Sequence, residues 1–392
     1  MKLFVYLLFL VIFLPAKAFA QTPERVLMLF IDGLHPRAIN HFDLKNIKRV
    51  MENGTYAEKG VMMYPAHPTL GEYGDWHTTS FPNIAGQAGT VFFEKQPRFL
   101  QHVMSQQGKT LHAAGSRSYR TMNEGFDYTF TSSGGTTDEQ VIDFYINAVE
   151  QQGDIVYARL MLQETGNAGR LESAKNTSDD PWANNVFHEQ SPYGQTVKQA
   201  DEQIGRLLNY LEDRGKLDTT LITIGGDGQA IGGWHQTLDE NAALTPIIFK
   251  GPGIPQGQTI PYAENIDLAP TIASLMGVNP PNQDGGTGLV LFGSNAHTNP
   301  HPRSLETINQ QIRDYKKLHA QAVLRAFEDP KMNVLLMELK HGLLSEHQFY
   351  TPERVMEWHE SGDLASMVES NAWVLETLRL ALSENKYRFG AY

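Results

Sequence analysis

The chain has 392 residues, a formal net charge of −12 and no cysteine. An acidic balance of this size disfavours nucleic acid as a main partner, so no nucleic-acid binding is expected. The lack of cysteine excludes disulfides and thiolate metal ligands, so the fold has to be held by its core and by any bound ion.

The first 20 residues have the features of a secretory signal peptide. Lys2 begins a short positive region, residues 3–14 are apolar, and Ala18 and Ala20 place small residues where a signal peptidase reads. The apolar run is too short to span a bilayer, and no later segment is long and apolar enough. The pattern predicts cleavage after Ala20 and a periplasmic or secreted protein without a transmembrane segment.

From residue 26 to about residue 292, apolar runs typical of strands alternate with amphipathic patterns typical of helices. The strand-like runs cover residues 26–31, 109–114, 154–162, 219–224 and 246–249, and the helical patterns cover 37–52, 97–107, 137–151, 194–214 and 266–276. This alternation predicts an α/β domain with a mostly parallel central sheet and helices on both faces.

Two long stretches and the C-terminal part depart from this alternation. Residues 61–90 and 164–192 are polar and read as loops, and loops of that length in compact domains are usually functional or disordered. Residues 295–302 have the composition of a linker, and 303–392 shows helical patterns only. We expect an α/β domain at 21–294, followed by an all-helical C-terminal extension.

The first candidate functional residue is Asp32, which directly follows the buried apolar run 26–31. The carboxyl ends of parallel strands form the edge where open α/β sheets bind ligands, and a carboxylate there is a hard oxygen donor for a metal ion. Ser80 and Asp227 are further candidates. Each of the three is also typical of a turn or a helix cap when taken alone, so their order along the chain decides the interpretation.

Together these segments resemble the alkaline phosphatase superfamily, in particular its phosphodiesterase, nucleotide pyrophosphatase and sulfatase-like branches. The matching segments are Ile31-Asp32-Gly33, Ser80-Phe81-Pro82-Asn83, Asp201, Leu217-Asp218-Thr219-Thr220-Leu221, Asp227, His235, Thr245-Pro246, Gly251-Pro252-Gly253 and Asn265-Ile266-Asp267. The resemblance covers about residues 24–292. It implies an alkaline-phosphatase-like α/β fold and a metal-dependent hydrolase.

The resemblance also implies which residues form the site. Ser80 stands in the place of the family's Thr or Ser nucleophile, with Thr79 as the alternative. Asp32, Ser80, Asp227 and His235 stand in the places of metal ligands. Further candidates for metal or substrate contacts are Gln163, Glu164, Asn167, Asn83, His77 and His188.

Two ligand motifs of the family are altered in this chain. Where the family has Asp-x-x-x-His, Gln163 and Asn167 stand here, and of the motif Ser-Asp-His-Gly only Asp227 is kept. Amide and carboxylate oxygens suit calcium, magnesium or manganese better than a tight zinc centre. We therefore expect one or two divalent ions, with Ca²⁺, Mg²⁺ or Mn²⁺ favoured and Zn²⁺ as the alternative.

These features predict an exported, metal-dependent hydrolase of phosphate esters, a phosphodiesterase or phosphatase, with a serine nucleophile and a small phosphate ester as substrate. One alternative is a degenerate superfamily member that binds an anionic ligand or a partner without turnover, and another is that the helical extension dominates as an interaction module. A sulfatase is less favoured, because the Cys/Ser-x-Pro-x-Arg motif for formylglycine formation has Ile84 in place of its arginine.

Overall fold

The structure is a computed structural model that describes residues 22–62, 76, 99–132, 135–174, 179–235, 239, 241–280, 290–293, 302–344 and 365–389. The predicted signal peptide and the candidate residues His77, Thr79, Ser80 and Asn83 lie outside the described residues. Among the helices within these ranges, none combines the length and the apolar composition that crossing a membrane requires.

The strands form one large sheet and one small sheet. They are β1 (Arg25–Ile31), β2 (Thr55–Ala57), β3 (Gly60–Val61), β4 (Thr110–Ala114), β5 (Tyr128–Thr131), β6 (Tyr157–Leu162), β7 (Thr220–Gly226), β8 (Ile248–Lys250), β9 (Gln258–Ile260) and β10 (Ala263–Glu264). The large sheet has eight strands in the order β5-β4-β6-β1-β7-β8-β2-β9, and β3 pairs with β10. Among the described strands of the large sheet, only β8 runs antiparallel to its neighbours, so the predicted mostly parallel sheet is confirmed.

The helices cover both faces of this sheet. They are α1 (Pro36–His41), α2 (Lys45–Glu52), α3 (Leu100–Met104), α4 (Asp138–Gln152), α5 (Glu164–Ala174), α6 (Pro192–Asp213), α7 (Leu268–Leu275), α8 (Pro302–Ala326), α9 (Pro330–Leu344) and α10 (Ala365–Glu384). Leu29 and Ile31 of β1 lie in a core shared with α4 and α6, while Met28 and Phe30 lie in a second core with α3 and α7. Central strand β1 is therefore buried on both sides, as its continuous apolar run predicts.

The single helix predicted over residues 37–52 is wrong. Helix α1 ends at His41 and α2 begins at Lys45, because Asp43 between them has a left-handed backbone with φ 54°. The start of α2 is stabilised by Asp201 of α6, whose carboxylate accepts hydrogen bonds from the backbone N–H groups of Asn46 and Ile47. Within the described structure, Asp201 thus caps a helix.

The long loop predicted for residues 164–192 is also wrong in its first part, since α5 occupies Glu164–Ala174. Two glycines and several polar residues give this segment little helical periodicity, so its sequence pattern is that of a loop. Its helix is stabilised by tertiary packing: Gly166 and Gly169 lie directly against side chains of the sheet edge.

In the described ranges 302–344 and 365–389, the C-terminal part contains helices and no strand, in agreement with the predicted helical extension. Helices α8, α9 and α10 pack around a separate apolar cluster that includes Tyr315, Leu335 and Leu378. Ile266, just before α7, belongs to the same cluster, so the extension packs against the α/β part of the chain. The exact boundary between the two parts remains a prediction.

Candidate metal centre

Two buried carboxylates lie side by side at the carboxyl edge of the sheet. Asp32 follows β1 and Asp227 follows β7, and the residues just before them, Ile31 and Gly226, are paired in register. The exposed fraction is 1% for Asp32 and 0% for Asp227. The register of two parallel neighbours therefore brings the two acids to the same level of the sheet.

An imidazole completes this group. The loop after β7 returns His235 to the sheet edge, where its Nε2 atom lies 3.4 Å from Oδ1 of Asp32 and 3.3 Å from Oδ2 of Asp227. One ligand atom from each of the three side chains lies within 4.8 Å of the others. Among the residues that the structure describes, these three form the cluster of acids and imidazoles that can share one ion.

Each of the three side chains is held by a protein group on its far side. Oδ2 of Asp32 accepts a hydrogen bond from the Tyr119 hydroxyl at 3.1 Å, and Oδ1 of Asp227 accepts one from the Gly33 N–H at 2.5 Å. Nδ1 of His235 lies 2.9 Å from the Gly228 carbonyl oxygen, to which it donates. These bonds aim Oδ1 of Asp32, Oδ2 of Asp227 and Nε2 of His235 at one another, which is how outer partners orient metal ligands.

The electrostatics of the cluster are those of a cation site. Burial lowers the pKa of His235, but the charges of Asp227 and Asp32 and the Gly228 carbonyl outweigh burial and raise it to about 9. Two buried carboxylates are costly without a compensating positive charge. In the absence of an ion, the imidazolium supplies that charge.

The donor set fits a divalent ion. Oδ1 of Asp32 is buried and accepts no hydrogen bond within the described part of the chain, although it faces the centre of the cluster. Two carboxylate oxygens and one imidazole nitrogen suit Ca²⁺, Mg²⁺ or Mn²⁺, and also Zn²⁺. The residues present are therefore sufficient for the core of a single ion site.

Two glycines permit the close approach of α5 to this cluster. Gly33 has φ +73°, which favours glycine, and this backbone turn points its N–H at Asp227. A Cβ atom on Gly166 would lie 1.5 Å from Oδ1 of Asp32, so no side chain fits there. The Asp-Gly pair and Gly166 are thus part of the site's construction, and are more than an ordinary turn and loop.

The candidates at the start of α5 lie beside the cluster. Gln163 is buried, and its Oε1 atom has no hydrogen-bond partner among the described residues. Glu164 accepts a hydrogen bond from the N–H of Asp138, while Oδ1 of Asp138 accepts from the N–H groups of Gln163 and Glu164. The side chain of Asn167 is exposed. The roles predicted for Gln163, Glu164 and Asn167 remain predictions.

His188 is half-buried in the segment before α6, and its Nδ1 atom accepts a hydrogen bond from the N–H of Gln190. It is not a member of the three-residue cluster.

The contact between Tyr119 and Asp32 was not predicted from the sequence. Tyr119 lies 87 residues from Asp32, in a short 3₁₀ segment, Arg117–Met122. A lone tyrosine in such a segment carries no sequence signal for this contact.

Solved structures of the alkaline phosphatase superfamily share this fold. A protein of that superfamily from Vibrio parahaemolyticus superposes with a TM-score of 0.54 at 17% identity, covering 74% of this chain and 72% of the other. At that identity the likeness shows the fold alone.

The family follows from the sequence of the same region. The family model described as Sulfatase matches residues 53–278, more than half of the chain, so the chain belongs to the sulfatase family. Similar curated proteins include the N-acetylglucosamine-6-O-sulfatase of Bacteroides thetaiotaomicron, 38% identical over 104 residues, and the choline-sulfatase of Rhizobium meliloti, 32% identical over 100 residues. These alignments cover 25% and 24% of this chain and 19% and 20% of the two relatives, so the chain covers about a fifth of their length.

Proposed function

We propose that this protein is a metal-dependent hydrolase of phosphate esters, a phosphatase or phosphodiesterase. The observation that carries the proposal is the buried cluster of Asp32, Asp227 and His235 at the carboxyl edge of the sheet. Membership of the sulfatase family supports hydrolytic chemistry on an anionic ester.

In this proposal the side chains of Asp32, Asp227 and His235 would hold one divalent ion. A bound divalent ion supplies Lewis-acid chemistry, because it stabilises negative charge that develops on the transferred group. The role of Tyr119, Gly33 and Gly228 is to fix the direction of the ligand atoms before substrate binds.

Ser80 is the proposed nucleophile, with Thr79 as the alternative. Its Oγ attacks phosphorus, the bond between phosphorus and the ester oxygen breaks, and the alcohol leaves with a proton; water then hydrolyses the phosphoserine. Trp76 supports this assignment, since its buried ring packs at 5.2 Å from the Phe30 ring and against Gly225. Phe30 lies two residues before Asp32 in the sequence, and Gly225 lies two residues before Asp227. The four residues from Trp76 to Ser80 can span at most about 14 Å.

A sulfate-ester hydrolase is the second candidate. The matching family and the names of the two curated relatives favour it. The residue against it is Ile84, which stands where the formylglycine motif needs an arginine. A degenerate protein that binds an anionic ligand without turnover is the remaining alternative.

The sequence of residues 1–20 supports export of this protein to the periplasm or the medium.

The test compares matched phosphate and sulfate esters, each with Ca²⁺, Mg²⁺, Mn²⁺ or Zn²⁺, on the wild type and on three Ser80 variants. Ser80→Ala should abolish turnover, because no hydroxyl remains to form the covalent intermediate. Ser80→Thr should keep part of the activity. Ser80→Asn separates nucleophile from helix cap, since asparagine caps equally well but cannot attack. Full activity of the Asn variant would remove Ser80 from the mechanism, and faster turnover of the sulfate esters would favour the sulfatase alternative.

A further inference from the structure

The loop that carries His235 holds a tryptophan in a strained conformation next to the candidate metal centre. Trp234 has φ +62°, a left-handed backbone that bulky residues rarely adopt. Its carbonyl oxygen accepts hydrogen bonds from the N–H of Ala230 and from Nε2 of Gln229, so the loop closes on itself and keeps this conformation. Strain of this kind is typical of functional sites, where the surrounding structure maintains it.

The conformation places the Trp234 ring directly beside the centre. The centroids of the Trp234 and His235 rings lie 4.6 Å apart, and the Trp234 side chain is only partly buried. A side chain beside His235 that keeps part of an aromatic ring accessible is suited to contact the group attached to the reacting ester.

A cation from a second element is held over the same ring. The guanidinium carbon of Arg170 in α5 lies 5.7 Å from the centroid of Trp234. Arg170 is exposed and forms no ion pair with any residue in the described ranges, in contrast to several surface arginines of this chain. Because Gly166 packs α5 against Asp32, the backbone of Arg170 has a set position relative to the cluster.

We propose that Trp234 and Arg170 form a substrate subsite that selects esters of ring-bearing alcohols, sugar or aryl, with a second anionic group. The ring of the alcohol would lie against Trp234, and the second anion would pair with Arg170. This inference rests on the proposed function, since it concerns the group attached to the ester that the metal centre hydrolyses.

The test uses three probes on the full chain with a divalent ion: ethyl phosphate, phenyl phosphate and 4-carboxyphenyl phosphate, with the corresponding sulfates in parallel. Trp234→Gly removes the ring and relieves the strained backbone, so the variant should unfold at no lower temperature than the wild type. Its preference for phenyl over ethyl esters in kcat/KM should fall about tenfold, whereas Trp234→Phe should keep most of it. Arg170→Ala should lower the preference for the carboxylated ester about fivefold, and added salt should lower it in the wild type.

The matched control is Arg214→Ala. Arg214 also lies over an aromatic ring, 3.8 Å from the centroid of Tyr210, but it follows the end of α6 that lies away from the metal centre. This variant should leave both preferences unchanged.

Binding of the same probes, measured by calorimetry against inorganic phosphate, separates the two proposals. Absence of turnover together with a ring preference that Trp234→Gly removes would reject the hydrolase and keep the subsite. The subsite is overturned if the wild type shows no ring preference in turnover or binding, or if Trp234→Gly and Arg170→Ala retain the wild-type preferences.

Discussion

At the scale of single residues, each side chain of the cluster has one atom bonded to a protein group and one atom directed toward the other two side chains. The hydroxyl of Tyr119 does this for Asp32, and the Gly33 N–H does it for Asp227. A carboxylate without such a partner would rotate and lose a fixed direction for its second oxygen. Orientation by these outer groups is therefore expected to matter nearly as much as the ligands.

Tyr119→Phe tests this orientation. Removing one hydroxyl leaves the buried ring in place, so stability should change by about 1 kcal/mol, the net worth of one hydrogen bond. The affinity for the divalent ion should fall about tenfold to a hundredfold, because Oδ2 of Asp32 loses its donor. Calorimetric titration of the ion measures the affinity.

The matched control for that titration is Tyr128→Phe, because the Tyr128 hydroxyl bonds to Gln152 on the surface. Equal metal affinities for the Tyr119→Phe variant and the wild type would show that the hydroxyl does not position Asp32.

At the scale of elements, α5 is the helix that packs against the site. Neither its helical structure nor its place beside the cluster could be predicted from its sequence. Residues 164–174 contain glycines and polar residues without apolar periodicity, because the helix is held by glycine contacts with Asp32 and Gln229. Contacts between a helix backbone and a distant side chain leave no pattern in the local sequence. The buried strand before Asp32, by contrast, could be predicted from the sequence, because a strand covered on both faces has to be apolar throughout.

Gly166→Ala tests the close approach of α5. In an exposed helix this change would stabilise by up to about 1 kcal/mol. Here the new Cβ would collide with Oδ1 of Asp32, so either the helix or the carboxylate has to move. We expect lower stability in urea unfolding and lost ion binding.

Leu171→Ala, at an exposed position of the same helix, is the control, and it should retain stability and ion binding. If Gly166→Ala bound the ion as tightly as the wild type, the placement of α5 against the cluster would be refuted.

At the scale of the whole molecule, the order of strands and helices could be predicted because alternating runs define a mostly parallel sheet. The shortest strands, such as β3 and β10, could not, because two residues carry no periodicity. The short distances from His235 to Asp32 and Asp227 could not be predicted from the sequence either. The two acids follow different strands, and they lie together because of the register of β1 and β7. From the order of its motifs, the sequence did predict that Asp32, Asp227 and His235 belong to one site, and their role as metal ligands remains a prediction.

The folded protein should show a pH dependence that the ion removes. In the absence of an ion, the pKa of His235 is raised from 6.5 to about 9, so the folded chain holds this proton more tightly than the unfolded chain. The resulting stability is fully present below about pH 6.5 and is lost as the pH rises through about 9. Urea unfolding with a chelator should therefore show falling stability over that window.

An excess of the divalent ion should flatten this slope, because the ion takes the place of the proton at Nε2 of His235. The affinity for the ion should rise about tenfold per pH unit until the pH reaches about 9, as one proton is displaced. A stability that is independent of pH between 6.5 and 9 in the presence of the chelator would contradict the coupling of His235 to the two acids.

The central claim is that Asp32, Asp227 and His235 hold a divalent ion. Calorimetric titration of Ca²⁺, Mg²⁺, Mn²⁺ and Zn²⁺ into the metal-free wild type, Asp227→Asn and Asp218→Asn tests it most directly. Asp227→Asn is close to isosteric, and Asp218 is an exposed acid before the same strand. We predict one ion bound at this site in the wild type and in Asp218→Asn, and an affinity at least about a hundredfold lower in Asp227→Asn. Equal affinity in all three proteins, or no ion bound by the wild type, would contradict the account.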